Sequence, residues 1–305
     1  MNVIDMSWGI PAFLFPYWES VSIKTDNLKK PQGYSFGSRS ELKDSIIWLH
    51  QSVGNANVNN KHIVVAAGAT QIILGLLYVL KNIKGADSAW AEPPHFSRFP
   101  SLAEFAGLKW LDSKKSITIG TNPNNPDGTV LKTLNKDIMD LTYMWPQYTT
   151  AIKKYNHPIM VFSLSKSTGH ASTRIGWAII KDSKIAEALE KFIEYSTSGL
   201  SIDAQIKAER VIESQLTRDF TVFEDGKNTL KERWDIIQQL DKRGVFPFKI
   251  LNSSGMFLWA EGQCPAEILG LDGRMLKGNS NQFRLNIGCS DKTFNDFVNL
   301  FSGQK

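Results

Sequence analysis

At 305 residues, with 42% hydrophobic and 21% charged side chains, the chain has a globular composition and room for one large domain or two moderate ones, which excludes wholesale disorder, a coiled coil or a collagen-like fibre. Its two cysteines, Cys264 and Cys289, leave no basis for a disulfide framework or a thiolate zinc site, and no metal is expected. The net charge of +5 is scattered over pairs such as Lys29-Lys30 and Lys242-Arg243 rather than gathered on one face, so nucleic acid is not an expected partner, whereas a small anionic ligand suits the field.

In chain order, the first eighteen residues carry no Lys or Arg ahead of an aromatic-rich stretch, and the longest apolar run, residues 72–80, is too short to cross a bilayer. The expectation is a soluble, cytoplasmic protein with no membrane partner. Ile63, Val64, Val65 and Ala66 read as a buried strand, followed by Gly68-Ala69-Thr70 and an apolar helix over 71–80. Residues 117–119 are a second strand, ending at the turn-rich Asn122-Pro123-Asn124-Asn125-Pro126-Asp127-Gly128. Residues 159–162 and 175–180 are further strands, and 183–195 and 203–216 are helical. A long amphipathic helix runs over about 220–240, with strand-like pieces at 256–259 and 283–287. Strands alternating with helices imply an α/β sheet. The chain divides into an N-terminal segment (1–44), a large α/β domain (45–215) and a smaller C-terminal α+β domain (216–305).

The unusual residues gather at strand ends, where open α/β sheets place their ligands. Ser163-Leu164-Ser165-Lys166-Ser167-Thr168-Gly169-His170 follows a strand at once, and Arg174 comes eight residues after Lys166. A lysine that forms a Schiff base must be partly desolvated, and a phosphate nearby needs hydroxyls and a fixed positive charge; a solvated polar loop is the alternative. The same residues match the S-x-x-K of penicillin-recognising enzymes, but the S-D-N and K-T-G elements of that family are absent. Gly68, Ala69 and Thr70 lie where backbone N–H groups at a helix start can hold a phosphate. Asp140 and Tyr143, three apart, and Asn125, between two prolines, supply what a pyridinium ring with a phenolate oxygen requires: a carboxylate for the ring N–H and donors for the oxygen. Taken singly, Asp140 reads better as a surface or capping acid and Asn125 as a turn residue; it is their order along the chain that favours the cofactor.

The succession Gly68-Ala69-Thr70, Phe96, Asn125, Asp140 with Tyr143, Lys166, Arg174 and Arg284 resembles that of fold-type I pyridoxal-phosphate enzymes. Residues 63–80, 122–128, 140–149 (DLTYMWPQYT) and 162–177 (FSLSKSTGHASTRIGW) resemble the alliinase and tryptophan-aminotransferase-related branch in particular. The resemblance implies an aspartate-aminotransferase-like fold with a mostly parallel large-domain sheet and pyridoxal 5'-phosphate as cofactor. It implies that Lys166 carries the cofactor as a Schiff base and moves the α-proton, that Asp140 pairs with the ring nitrogen, and that Asn125 and Tyr143 bind the phenolate oxygen. By the same resemblance Gly68, Ala69, Thr70, Ser163, Ser165 and Arg174 hold the phosphate, Phe96 stacks on the ring, and Arg284 grips the substrate carboxylate, with Gly9 and Asn125 beside it. A homodimer with shared sites is implied, Tyr34 reaching the phosphate of the neighbouring subunit.

The sequence departs from that pattern at Gly9-Ile10-Pro11-Ala12, which lacks the acid typical of the branch, and in the apolar run Phe13-Leu14-Phe15-Pro16-Tyr17-Trp18, which suits equally a hydrophobic or aromatic substrate side chain and an N-terminal segment packed on the large domain. The expected activity is transfer of the amino group of an L-amino acid to a 2-oxo acid. An alliinase-like C–S β-lyase on cysteine derivatives is the alternative with the same cofactor site, and a non-catalytic binding protein on this fold is the distant one. The cysteine-rich module of plant alliinases has no counterpart here, which favours transamination.

Overall fold

A strand buried on both faces still alternates, because successive side chains point to opposite sides of the sheet. In the computed structural model, which describes residues 3–19, 21, 37–131, 135–218 and 221–303, that alternation divides the core in two. Val64, Ala66, Val161, Ala178 and Ile180 face one hydrophobic cluster, while Ile63, Val65, Met160, Phe162, Trp177 and Ile179 face the other.

The elements run β1 (Ile4–Asp5), α1 (Phe15–Glu19), α2 (Ser40–Val53), β2 (His62–Ala66), α3 (Ala69–Lys84), β3 (Ser88–Ala91), α4 (Phe99–Phe105), β4 (Lys109–Trp110), β5 (Ser116–Thr121), β6 (Ile138–Asp140), β7 (Ile159–Ser163) and the single turn α5 (Leu164–Ser167). They continue with β8 (Gly176–Ile180), α6 (Ser183–Thr197), α7 (Ile202–Thr217), α8 (Thr221–Lys242), β9 (Phe248–Ile250), β10 (Phe257–Gly262), β11 (Ile268–Leu269), β12 (Leu271–Asp272), β13 (Gln282–Asn286) and α9 (Asp291–Ser302). The seven-stranded sheet has the order β2-β8-β7-β6-β5-β3-β4. Strands β7, β6, β5, β3 and β4 are parallel, and β8 runs antiparallel to both β2 and β7. The sheet is therefore mostly parallel, as the resemblance implies. Helices α3, α4 and α6 cover one face, and α2, α7 and α8 contribute to the cluster on the other.

A second, antiparallel sheet of order β12-β13-β10-β9 carries the C-terminal part. The N-terminal residues reach across to it: β1 pairs in parallel with β11, and the Asn286 N–H donates to the Met6 carbonyl at 2.8 Å. Residues 3–14 thus lie against the C-terminal part, with Phe13 and Leu14 buried in the shared cluster. Helix α2 begins at Ser40, inside the segment assigned from sequence to the N-terminal piece. Among the described residues, no helix is long and apolar enough to cross a membrane.

Candidate active site

The parallel strands deliver three functional groups to one edge of the sheet. Asp140 is the last residue of β6, in register with Thr121 at the end of β5 and with Val161 two residues before the end of β7. Beyond β5, the Asn122 N–H donates to the Asp140 carbonyl at 2.9 Å, so the Asn122–Gly128 turn is fastened to the strand that carries the acid. The Asp140 carboxylate is buried and accepts from both the backbone N–H (3.1 Å) and the hydroxyl of Thr142, both at Oδ1. Burial raises its pKa, opposed by those Thr142 donors and by Lys166. A buried carboxyl held by one neutral neighbour still favours a positive partner.

Lys166 sits in α5, the turn that begins where β7 ends. Ser163 caps that turn, its hydroxyl oxygen accepting from the Ser165 N–H at 3.2 Å while its own O–H stays available to donate. The Lys166 Nζ donates to the Gly9 carbonyl and lies 5.8 Å from the centre of the Tyr143 ring. Burial, then the positive charges of Arg284 and Arg174, lower its pKa to about 8, with Asp140 pulling the other way. An ordinary lysine would be fully charged at neutral pH; this one reaches its neutral, nucleophilic form far more readily. Tyr143 is buried beside it, and desolvation raises the phenol above its usual value.

A third group forms where β2 turns into α3. Gly68 caps α3 with φ of +86°, and the first N–H groups of that helix, at Ala69 and Thr70, have no partner within it. Strand β8 passes close beneath: a Cβ on Gly176 would lie 2.5 Å from the Ala69 nitrogen, so only glycine fits there. Arg174 stands at this helix start, in left-handed backbone with φ of +53° and ψ of +48°. Its guanidinium donates to the Ala171 carbonyl at 2.7 Å and the Ala67 carbonyl at 3.3 Å. Left-handed backbone costs a non-glycine residue roughly 1–2 kcal/mol, so the position keeps an arginine against its own backbone preference, which points to a use for the side chain. Helix N–H groups beside a guanidinium make an anion cradle.

Arg284, at the middle of β13, is only 4% exposed, on a strand paired on both sides by β10 and β12. It donates to Asn125 Oδ1 at 2.8 Å and to the Ser7 carbonyl at 2.7 Å, and its guanidinium lies 4.1 Å from the centre of the Phe257 ring. Its Nε has no partner among the described residues, and burial lowers its pKa to about 10. No carboxylate of the described residues forms an ion pair with it. A buried fork without a counter-charge is suited to receive a ligand carboxylate.

The structure thus gathers Gly9, Asp140, Tyr143 and Arg284 around the part-buried Lys166 amine, with Asn125 bonded to Arg284 and with Gly68, Ala69, Thr70 and Arg174 at the adjoining helix start. Ser165 is buried within the Lys166 turn. Phe96 is half-buried, 5.5 Å edge-on from Phe99, and its loop is tied to the Asn122–Gly128 turn by the Asn124 side chain donating to the Pro94 carbonyl at 2.9 Å. Tyr34 lies outside the described residues. Sequence reasoning did not single out the carbonyl of Ser7, the ring of Phe257, or Gln147 and Tyr148. The latter two stand inside the 140–149 motif, so motif membership was the available signal; a backbone carbonyl leaves none.

Residues 7–253 match the alliinase family (described as Allinase). Tryptophan aminotransferase-related protein 2 of Oryza sativa subsp. japonica is 33% identical over 74% of this chain and 51% of its own length. An alliin lyase of Allium cepa var. aggregatum is 30% identical over 82% of this chain and 64% of its own. The chain therefore spans about half to two-thirds of these relatives. An aminotransferase structure from Staphylococcus aureus superposes with a TM-score of 0.77 at 18% identity, over 98% of this chain and 92% of that one, which establishes the aspartate-aminotransferase-like fold. By the match over residues 7–253 and the relatives at 30% and 33% identity, the chain belongs to the alliinase family.

Proposed function

We propose that this chain is a pyridoxal-phosphate-dependent aminotransferase that moves the amino group of an L-amino acid, with an aromatic or hydrophobic side chain favoured, to a 2-oxo acid. The observation that carries this reading is the placement of the Lys166 amine, held at the Gly9 carbonyl and 5.8 Å from the centre of the Tyr143 ring, where burial and the charges of Arg284 and Arg174 lower its pKa and Asp140 opposes them. The donor set fits the cofactor: a nucleophilic amine, a buried carboxylate that favours a cationic partner, and an anion cradle at the start of α3. When bound, pyridoxal phosphate supplies an electron-accepting ring that lets the α-proton of an amino acid leave.

The residues divide the remaining work. Arg174, with the N–H groups of Ala69 and Thr70 and the hydroxyls of Thr70, Ser163 and Ser165, would hold the phosphate. Asp140 would keep a proton on the ring nitrogen, and Asn125 and Tyr143 would bind the phenolate oxygen. Phe96 would pack against the ring. Arg284 would receive the substrate carboxylate, with Gly9 beside it, once the Ser7 carbonyl yields its place. The Lys166 amine, once free and neutral, takes the proton from the α-carbon and returns it at a new position. Holding amine and carboxylate at fixed points lets one base serve both steps. A homodimer with shared sites and a cytoplasmic location remain part of this reading.

A second reading, C–S β-elimination on cysteine derivatives, is supported by the alliin lyase among the relatives. The two separate by product. Transamination releases one equivalent of 2-oxo acid per site and turns over further only when a second 2-oxo acid is present as acceptor; elimination with one water turns over without an acceptor, releasing the thiol, pyruvate and ammonia from S-alkyl cysteine derivatives. Acceptor-dependent conversion of aromatic L-amino acids supports the first reading, and acceptor-independent pyruvate replaces it with the second.

A further inference from the structure

One turn of helix is a weak support for a catalytic lysine, because the carbonyls at its end have no helical partner. Here the loop that leaves β6 after Asp140 and carries Tyr143 supplies them. The Tyr148 hydroxyl donates to the Lys166 carbonyl at 2.9 Å. The Gln147 side-chain amide donates to the same carbonyl at 3.2 Å and to the Ser167 carbonyl at 3.0 Å. Both side chains are buried. Gly226 on α8 makes room for this: a Cβ there would lie 3.0 Å from Gln147 Cβ. The Tyr148 ring also stands 5.6 Å edge-on from the Tyr143 ring, which itself faces the Lys166 amine.

The loop is anchored from behind. The Asn55 amide donates to the Met144 carbonyl at 2.7 Å, and Asn55 Oδ1 pairs with His50 Nδ1 at 2.7 Å. Trp177 Nε1 donates to His50 Nε2 at 2.8 Å, so His50 is neutral with its proton on Nδ1. The loop therefore meets Lys166 twice, at the amine with Tyr143 and at the backbone with Gln147 and Tyr148.

We propose that Gln147 and Tyr148 are positioning residues that grip the Lys166 carbonyl and so hold its side chain in the pocket, against Tyr143 and the Gly9 carbonyl. The proposal rests on the reading of Lys166 as the cofactor-bearing amine. The groups facing that amine are Asp140 from the end of β6, Tyr143 from the loop after it, Arg284 from β13, Arg174 from the turn before β8 and the Gly9 carbonyl. A released Lys166 side chain would move toward water, and its amine would then titrate closer to an ordinary lysine.

The test uses the full chain freed of cofactor and labelled with acetic anhydride across a pH series, with the Lys166 peptide followed by mass spectrometry. The wild-type labelling midpoint is expected near 8. Tyr148→Phe, which removes one hydroxyl, and Gln147→Met, which keeps the volume, should each raise it by at least half a pH unit. Ile237→Val, a buried deletion on α8, should lower the melting temperature and leave the midpoint in place. An unchanged midpoint in both loop variants overturns the proposal, whatever their melting temperatures. A parallel titration with pyridoxal phosphate keeps the two ideas apart: no lysine-linked absorbance band in the wild type overturns the cofactor reading, and the labelling midpoints still decide the grip.

Discussion

Arg174→Gly separates the phosphate cradle from the fold. The backbone at 174 is left-handed, and glycine there relieves roughly 1–2 kcal/mol. Greater freedom of the unfolded chain offsets about 0.5–1 kcal/mol of that gain. The lost guanidinium bonds to the Ala171 and Ala67 carbonyls are exposed and contribute about 1 kcal/mol together. These changes nearly cancel, so the cofactor-free variant should melt within a few degrees of wild type. Cofactor affinity should change far more, because two charge-assisted bonds to a phosphate are worth about 3 kcal/mol, or roughly 10²-fold in Kd. Absorbance titration with pyridoxal phosphate measures the affinity, and thermal melting with and without cofactor measures the fold. An unchanged Kd in a folded variant would remove Arg174 from the cradle.

Three further outcomes follow from the site. Lys166 loses its proton at about 8 in the folded chain against 10.5 for an ordinary lysine, so the folded state binds fewer protons between those values and stability is lost as pH falls through 8. Lys166→Met should therefore melt above the cofactor-free wild type at pH 7, by about 2 kcal/mol after allowance for partial exposure, with the gap closing toward pH 10.5; a gap that does not depend on pH contradicts this. Asp140 has its pKa raised by burial, so its contribution is lost as pH rises through that value, and Asp140→Asn should stabilise the cofactor-free chain at pH 7 while cutting turnover at least tenfold; turnover at the wild-type level would show that the acid is not needed. For Arg284→Gln, KM for the amino acid should rise about 10²-fold, while the cofactor Kd, measured separately, moves less than threefold; a KM near wild type sinks its role as the carboxylate fork.

The sequence announces the site's residues more fully than the scaffold that holds them. Strands β2, β7 and β8 were legible because each is an unbroken apolar run, and the Gly68-Ala69-Thr70 start of α3 because a strand precedes it. β3, with Ser88, Ala89 and Ala91, has little strand propensity, and β6 is three residues long, too short for any periodicity to show. Helix α4 carries Pro100 in its first turn, where the residue is tolerated but reads as a loop. That β8 runs antiparallel cannot be read from its side chains, since direction is set by the connection around it. The least legible parts of the site are those made by main chain: the Ser7 and Gly9 carbonyls meet Arg284 and Lys166 from 277 and 157 residues away and leave no trace in residue type. The burial of Arg284 is of the same kind, for it depends on β10 and β12 closing on both sides of β13.

The central claim, that Lys166 is the residue that takes up the cofactor, is tested most directly by borohydride reduction of the chain loaded with pyridoxal phosphate, followed by peptide mapping. One phosphopyridoxyl group on Lys166, absent from Lys166→Met, is the expected result. A label on another lysine, or none on a folded chain at saturating cofactor, would contradict it.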